Sequence, residues 1–300
     1  MHKLNVLRPE QIQQYKEQGF LVVDCPFARE DYESILSLAH KNVDFSNADG
    51  VRLSKLDPRY TIVDSSEVML KLLEHPYVLA IVSDLFGSDD YRIFLANFNN
   101  RTPNIKPIIH WHTDYQDTQR SIGPRVEVAW YLTPTNKENG CLRLIPGSHT
   151  GPATSSVREL AIAARNQERS LWRSYEVHHP REIALPLGPE KLLFRDGFIW
   201  HCTYKNTTEE IRYLYSISYC SLNEPLMLVD YELFLPRHIV EFPSPTQKRL
   251  FSLEEYRANL IDRFKKPVCS LSECLGYEED RKWRASEFYK DGEDIRYTNF

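Results

Sequence analysis

A β-sandwich or barrel with flanking helices is the fold class this chain predicts, and three observations carry the prediction. From residue 91 onward, seven short apolar runs are bounded by Gly, Pro and Asn, the signature of many short strands joined by turns. Aromatic residues are abundant, with 17 Tyr and 14 Phe in 300 residues, and such side chains suit a pleated, half-buried surface. Helical patterning is confined to the segment before residue 90 and to one later insertion.

The elements follow in order. Pro9 opens a polar helix that Gly19 ends, and 20–24 is a short strand. Residues 29–40 carry apolar side chains at 32, 35, 36, 38 and 39, a rough helical face. The stretch 41–65 is polar and irregular. Ser66 caps a helix containing Val68, Leu70, Leu72 and Leu73, which His75-Pro76 breaks, and 77–86 forms the next helix. Strands are expected at 93–98, 105–113, 126–132, 141–145, 191–194, 198–203 and 212–219. Residues 150–180 are polar, basic and partly helical, and read as an insertion. Residues 223–300 hold few strand signals and are expected to cover the barrel rather than build a core of their own. With no repeat and no low-complexity segment, 1–300 is expected to be a single domain.

Composition excludes several classes. A chain that is 42% hydrophobic and 26% charged is ordinary globular material. Its net charge of −5 argues against a general nucleic-acid binder. No apolar run reaches the length of a membrane span, and residues 1–10 lack the apolar core of a signal peptide. The six cysteines, at 25, 141, 202, 220, 269 and 274, form no CxxC. They are expected to be free thiols of a cytoplasmic protein, not a disulfide frame or a zinc site.

Three pieces carry chemistry. In His110-Trp-His112-Thr-Asp114, strand alternation puts residues 110, 112 and 114 on one face. A His and a carboxylate so placed can grip one metal ion, although the pattern alone is common by chance and a polar strand end is its ordinary reading. The Asp196-Gly197 turn then feeds a strand bearing His201, and Arg212 follows at the start of the next. Two His and one carboxylate form the facial triad of non-haem iron(II) oxygenases, whose open positions suit a bidentate 2-oxo acid and O2. A second carboxylate on that acid calls for a fixed cationic fork, which Arg supplies.

These pieces, together with Asn139-Gly-Cys-Leu-Arg-Leu-Ile-Pro-Gly-Ser-His149, resemble the phytanoyl-CoA hydroxylase (phytanoyl-CoA dioxygenase) family of iron(II)/2-oxoglutarate oxygenases, over residues 7–222. The resemblance implies a double-stranded β-helix, a mainly β jelly-roll barrel with flanking helices. It implies His112, Asp114 and His201 as catalytic iron ligands, Arg212 as partner of the far carboxylate of 2-oxoglutarate, and Thr203 as an added hydroxyl donor. It places Trp130 near the co-substrate, and either Asn97 or Asn99 as an amide donor to it; satisfaction of a strand edge is the competing reading for that pair. Fe(II), 2-oxoglutarate and O2 are the implied cofactors. Related halogenases carry Ala or Gly where Asp114 stands, which leaves room for chloride, so a carboxylate here favours hydroxylation, with desaturation or cyclisation as the variants.

The remaining residues have plainer readings. His110 could compete with His112 in a cupin-like site without 2-oxoglutarate, but Gln116 and Asp117 stand where that motif needs Glu; a supporting role is expected. His149 reads as a loop brace and Arg143 as a structural ion-pair residue. Tyr115, Arg120, Arg52 and Lys55 are candidate substrate contacts. With Arg59, Arg125 and the series Arg165, Arg169 and Arg173, the basic residues are either a solvated face or a clamp for an anionic small-molecule substrate. His178-His179 is expected on a surface loop. Oligomeric state is left open. A non-catalytic barrel that keeps the fold is the alternative of another class, against which the intact triad and Arg212 speak.

Overall fold

The computed structural model describes residues 6–41, 67–101, 103, 109–115, 120–169, 171–224 and 242–254. Helix α1 (Pro9–Gln18) starts on Pro9 and stops at Gly19, whose φ of 80° lets its N–H reach Tyr15 O at 2.8 Å. The same punctuation, Pro first and Gly last, bounds α4 (Pro76–Phe86). Between them lie β1 (Phe20–Asp24), α2 (Arg29–Lys41) and α3 (Glu67–Leu73). The later elements are β2 (Tyr91–Phe98), β3 (Arg125–Tyr131), β4 (Leu142–Leu144), α5 (Ala153–Asn166), β5 (Ile183–Leu185), β6 (Lys191–Asp196), β7 (His201–Thr203), β8 (Leu214–Ser221) and α6 (Pro245–Leu250).

The strands form two antiparallel sheets, one ordered β1-β6-β3-β8-β2 and one ordered β5-β4-β7. This is the double-stranded β-helix, or jelly roll, expected from the sequence. Alternation along β3 shows how the layers arise. Val126, Val128 and Trp130 face one way, into a core shared with the helices. Ala129 and Tyr131 face the other way, into the space between the sheets with Phe20, Leu142, Leu144, Leu193 and Ile199. A third cluster, Trp111, Ile145, Leu160, Ala163, Ala164, Val177, Trp200 and Cys202, covers the outer face of the smaller sheet. The segment expected to be an insertion thus supplies a structural layer: Leu160, Ala163 and Ala164 of α5, with Val177, pack on that sheet.

Several boundaries differ from expectation for identifiable reasons. The strand expected at 198–203 is ordered only over β7, because the Asp196 side chain accepts from Phe198 N at 2.8 Å and holds a turn there. Of the strand expected at 105–113, the described part is irregular except for a single bridge at His112. Strand β5 carries no clear sequence signal. Of the C-terminal extension, 242–254 is described, and it places Leu250, Phe251 and Leu253 in the helix-side core. Among the described residues no helix is long and apolar enough to cross a membrane, and Cys25, Cys141, Cys202 and Cys220 are free thiols. Arg52, Lys55, Arg59, Cys269 and Cys274 lie outside the described residues.

Candidate metal centre

His112 and His201 are brought together by backbone pairing. Each donates its N–H to the other's carbonyl at 3.0 Å, so the residues face each other across a closely hydrogen-bonded antiparallel pair and their side chains leave on one side. The ring centroids are 4.2 Å apart. Each ring uses Nδ1 on the carbonyl two residues back, His112 on His110 O at 2.7 Å and His201 on Ile199 O at 3.0 Å. A carbonyl can only accept, so each ring carries a proton on Nδ1 and turns Nε2 inward. Asp114, two residues along from His112, meets both: its Oδ1 lies 3.5 Å from His112 Nε2 and 3.7 Å from His201 Nε2. All three ligand atoms fall within 4.8 Å of one another.

The electrostatics suit a cation. Burial, then Arg195 and His112, push the His201 pKa well below the usual histidine range despite Asp114, so the imidazole is neutral. Burial opposes ionisation of Asp114, yet Arg195, His201 and His112 together outweigh it and hold its carboxyl well below the usual range. Two imidazole Nε2 atoms and a carboxylate oxygen therefore converge. That donor set fits a divalent first-row metal bound on one face. His201 is nearly enclosed, whereas the His112 side chain retains 38% of its exposure, so the open face of the site lies on His112's side.

Two charged residues that sequence reading missed complete the surroundings. Arg195, inward-facing on β6, places Nη2 2.6 Å from Asp114 Oδ2. Glu127 stands opposite Arg195 in the β3–β6 register. Its oxygens accept from Tyr115 OH at 2.8 Å and from Ser218 Oγ, and burial, then Asp114, push its pKa up to about 7. The available signal was period two: Lys191, Leu193 and Arg195 share one face of a strand, as do Glu127, Ala129 and Tyr131. A charged residue in such a series marks a polar interior.

Arg212 lies deeper in the barrel and is 1% exposed. Its Nη1 donates to Gly140 O at 2.6 Å and its Nη2 to Asn99 O at 2.9 Å, which fixes the plane of the fork. Nε is buried without a partner. Arg101, also missed by the sequence reading, exchanges backbone hydrogen bonds with Arg212; burial and Arg212 push its pKa down to about 9. Among the described residues neither guanidinium has a carboxylate partner. Among the described residues, the two cations thus lie side by side without a counter-charge. On β3 and β8, the small residues Ala129 and Ser216 stand opposite each other, with Leu193 beside Ala129 on β6.

Other candidates separate. Thr203 is buried and shares an alternation face with His201 on β7. Asn99 is half-buried, and its Nδ2 donates to Ser216 Oγ at 2.8 Å; Asn97 stands opposite Ser216 in the strand register. Trp130 corrects an expectation: it faces the helices, with its ring 4.6 Å from Phe27 and Nε1 on Pro189 O, and its neighbour Tyr131 takes the inward position beside Arg212. Tyr115 is buried under Arg125, 3.6 Å from Cζ to ring centre, and is committed to Glu127. Arg120 is taken up by the carbonyls of His149 and Gly151.

His110 contributes its carbonyl to His112, while its ring lies by Ser174 and Tyr175; that removes the residue on which a cupin-like site would depend. His149 braces α1 through Lys16 O at 3.0 Å, and Arg143 is a buried partner of Glu182, as expected. His179 departs from expectation, being buried against Glu159 while His178 is exposed. Because α5 ends at Asn166, Arg169 and Arg173 do not continue the face of Arg165.

Comparison with known proteins bears on this geometry. The family described as phytanoyl-CoA dioxygenase matches residues 15–213. Dioxygenase af480 of Aspergillus fumigatus is 23% identical over 257 residues, 79% of this chain and 74% of that protein. Among solved structures, HygX from Streptomyces hygroscopicus, with nickel and 2-oxoglutarate bound, is similar at 21% identity and a TM-score of 0.54, covering 72% of this chain and 88% of HygX. SnoK, a non-haem α-ketoglutarate-dependent carbocyclase from nogalamycin biosynthesis, is similar at 17% identity and a TM-score of 0.51, covering 71% of this chain and 84% of SnoK. At these identities, the two solved structures share the fold with this chain.

Proposed function

Since the chain belongs to the phytanoyl-CoA dioxygenase family, an iron(II)- and 2-oxoglutarate-dependent dioxygenase, we propose that it hydroxylates a C–H bond of a small molecule. The overall change is R–H + 2-oxoglutarate + O2 → R–OH + succinate + CO2. The observation that carries this reading is the convergence of His112 Nε2, His201 Nε2 and Asp114 Oδ1, with both imidazole protons tied up on carbonyls.

Bound iron(II) supplies the activation of O2 coupled to oxidative decarboxylation of 2-oxoglutarate. The protein's part is placement. His112, Asp114 and His201 would hold the metal. Arg212, with Arg101 beside it, receives the far carboxylate of 2-oxoglutarate, a role that fits a buried and a half-buried cation without a counter-charge among the described residues. HygX holds 2-oxoglutarate in the same fold, which supports this reading. The small residues Ala129 and Ser216, paired on β3 and β8, leave room in the interior for the co-substrate's carbon chain. The apolar shell of Leu142, Leu144, Leu193 and Ile199 excludes water, so the oxidising equivalent is directed to the bound substrate.

Asp114 distinguishes among outcomes. Its carboxylate occupies a metal position that a halide would otherwise take, which favours oxygen insertion over halogenation. SnoK is a carbocyclase on the same fold, so the product is the deciding readout. The test is anaerobic loading with iron(II) and 2-oxoglutarate, then O2 with a panel of small molecules, followed by succinate release and product mass. Gain of one oxygen atom with one succinate is the expected result. Loss of two hydrogens would assign desaturation or cyclisation, and no substrate-stimulated succinate would refute the reading.

A further inference from the structure

The two oxygens of Asp114 have different partners. Oδ1 faces the two imidazole Nε2 atoms at 3.5 and 3.7 Å. Oδ2 is held by Arg195 Nη2 at 2.6 Å. Arg195 projects inward from β6, and Glu127 faces it across the β3–β6 register. Glu127 does not take Arg195 away, because its two oxygens are claimed by Tyr115 OH and Ser218 Oγ. Among the described residues, Asp114 is the one ion-pair partner of Arg195.

We propose that Arg195 is a positioning residue that restricts Asp114 to metal ligation through a single oxygen, and so keeps open the position where O2 must bind. The inference rests on the reading of His112, Asp114 and His201 as iron ligands. Its logic is a count of positions. A facial triad takes three sites of an octahedral ion, a bidentate 2-oxo acid takes two, and one is left. A carboxylate that swung to bind through both oxygens would take that last site. With Oδ2 in an ion pair with a guanidinium whose strand is fixed on both edges by β1 and β3, the swing is opposed.

The test uses the full chain loaded anaerobically with iron(II) and 2-oxoglutarate, with nitric oxide as the probe of the vacant position, read by electron paramagnetic resonance. Arg195→Gln is predicted to bind iron(II) and 2-oxoglutarate but to lose nitric oxide affinity by about tenfold or more, the scale of effect expected from removing an outer-shell partner of a metal ligand. Arg195→Lys, which keeps a cationic donor for Oδ2, is predicted to restore most of it. Nitric oxide affinity in Arg195→Gln equal to wild type would overturn the proposal, as would equal losses in Gln and Lys variants. Should Arg195→Gln fail to hold iron, recovery of iron binding in Arg195→Lys supports the positioning role and failure to recover overturns it. A wild-type protein that forms no complex with iron(II) and 2-oxoglutarate would instead refute the underlying function.

Discussion

Replacing Arg212 by alanine tests how the barrel recognises its co-substrate. A guanidinium has five N–H donors, and two of Arg212's terminal nitrogens each donate once, to Gly140 O and Asn99 O. Three donors remain, Nε among them buried and unpartnered. Burial pushes the Arg212 pKa down, so an incoming carboxylate gains a desolvated positive charge. Truncating one member of such a buried pair costs on the order of 2–5 kcal/mol, or roughly 30- to 5,000-fold in Kd at about 1.4 kcal/mol per tenfold. Arg101 remains as a second cation, which places the expected loss toward the lower end, about a hundredfold. The assay is anaerobic titration of the iron(II)-loaded protein with 2-oxoglutarate, paired with KM from succinate release. A 2-oxo acid lacking the far carboxylate is the control, and its affinity should be the same in wild type and Arg212→Ala. Because Gly140 O and Asn99 O each lose a donor, a thermal melt must accompany the titration. An unchanged affinity for 2-oxoglutarate in a folded variant would show that another group holds the carboxylate.

Further outcomes are expected from the same geometry. His201→Ala removes the innermost ligand and should abolish iron binding and succinate formation while the protein still folds; retained turnover would sink the ligand assignment. Glu127 has a folded pKa of about 7 against an ordinary 4.5, so the folded state favours its neutral form. The stability this confers is full below about pH 4.5 and is lost as pH rises toward 7, on the order of 3 kcal/mol. Glu127→Gln should remove that slope, and the check is the difference in Tm between wild type and variant across pH 4.5 to 8; parallel curves would refute it. Gly197→Ala would bring a Cβ to 2.5 Å from the Tyr115 ring and 3.1 Å from Arg125 Cβ, with the Arg125 guanidinium already stacked on that ring. Such overpacking costs about 1–3 kcal/mol, and an unchanged Tm would show that Tyr115 can move aside.

The candidate metal centre was legible in the sequence because its residues obey local rules. His112 and Asp114 are two residues apart, and His201 follows an Asp-Gly turn. The supporting charges were less visible. Arg195 and Glu127 are far apart in sequence and meet only through the β3–β6 register, and Arg101 reaches Arg212 only through an isolated bridge. Trp130 was misassigned by one position. Along a strand that is buried on both faces, apolar patterning does not say which face is the interior, and a shift of one residue exchanges them. The helices before residue 90 were legible from Pro and Gly punctuation at α1 and α4. Strand β5 was missed because three half-buried residues offer too short a pattern.

The central claim, that His112, Asp114 and His201 hold iron(II) for use with 2-oxoglutarate, is tested most directly by visible absorption under anaerobic conditions. Iron(II) is added first and 2-oxoglutarate second, to wild type and to His201→Ala. The account predicts a weak charge-transfer band that requires both additions and is absent from His201→Ala. Iron binding in the wild type without that band would contradict the co-substrate assignment, and a band that survives in His201→Ala would contradict the metal centre itself.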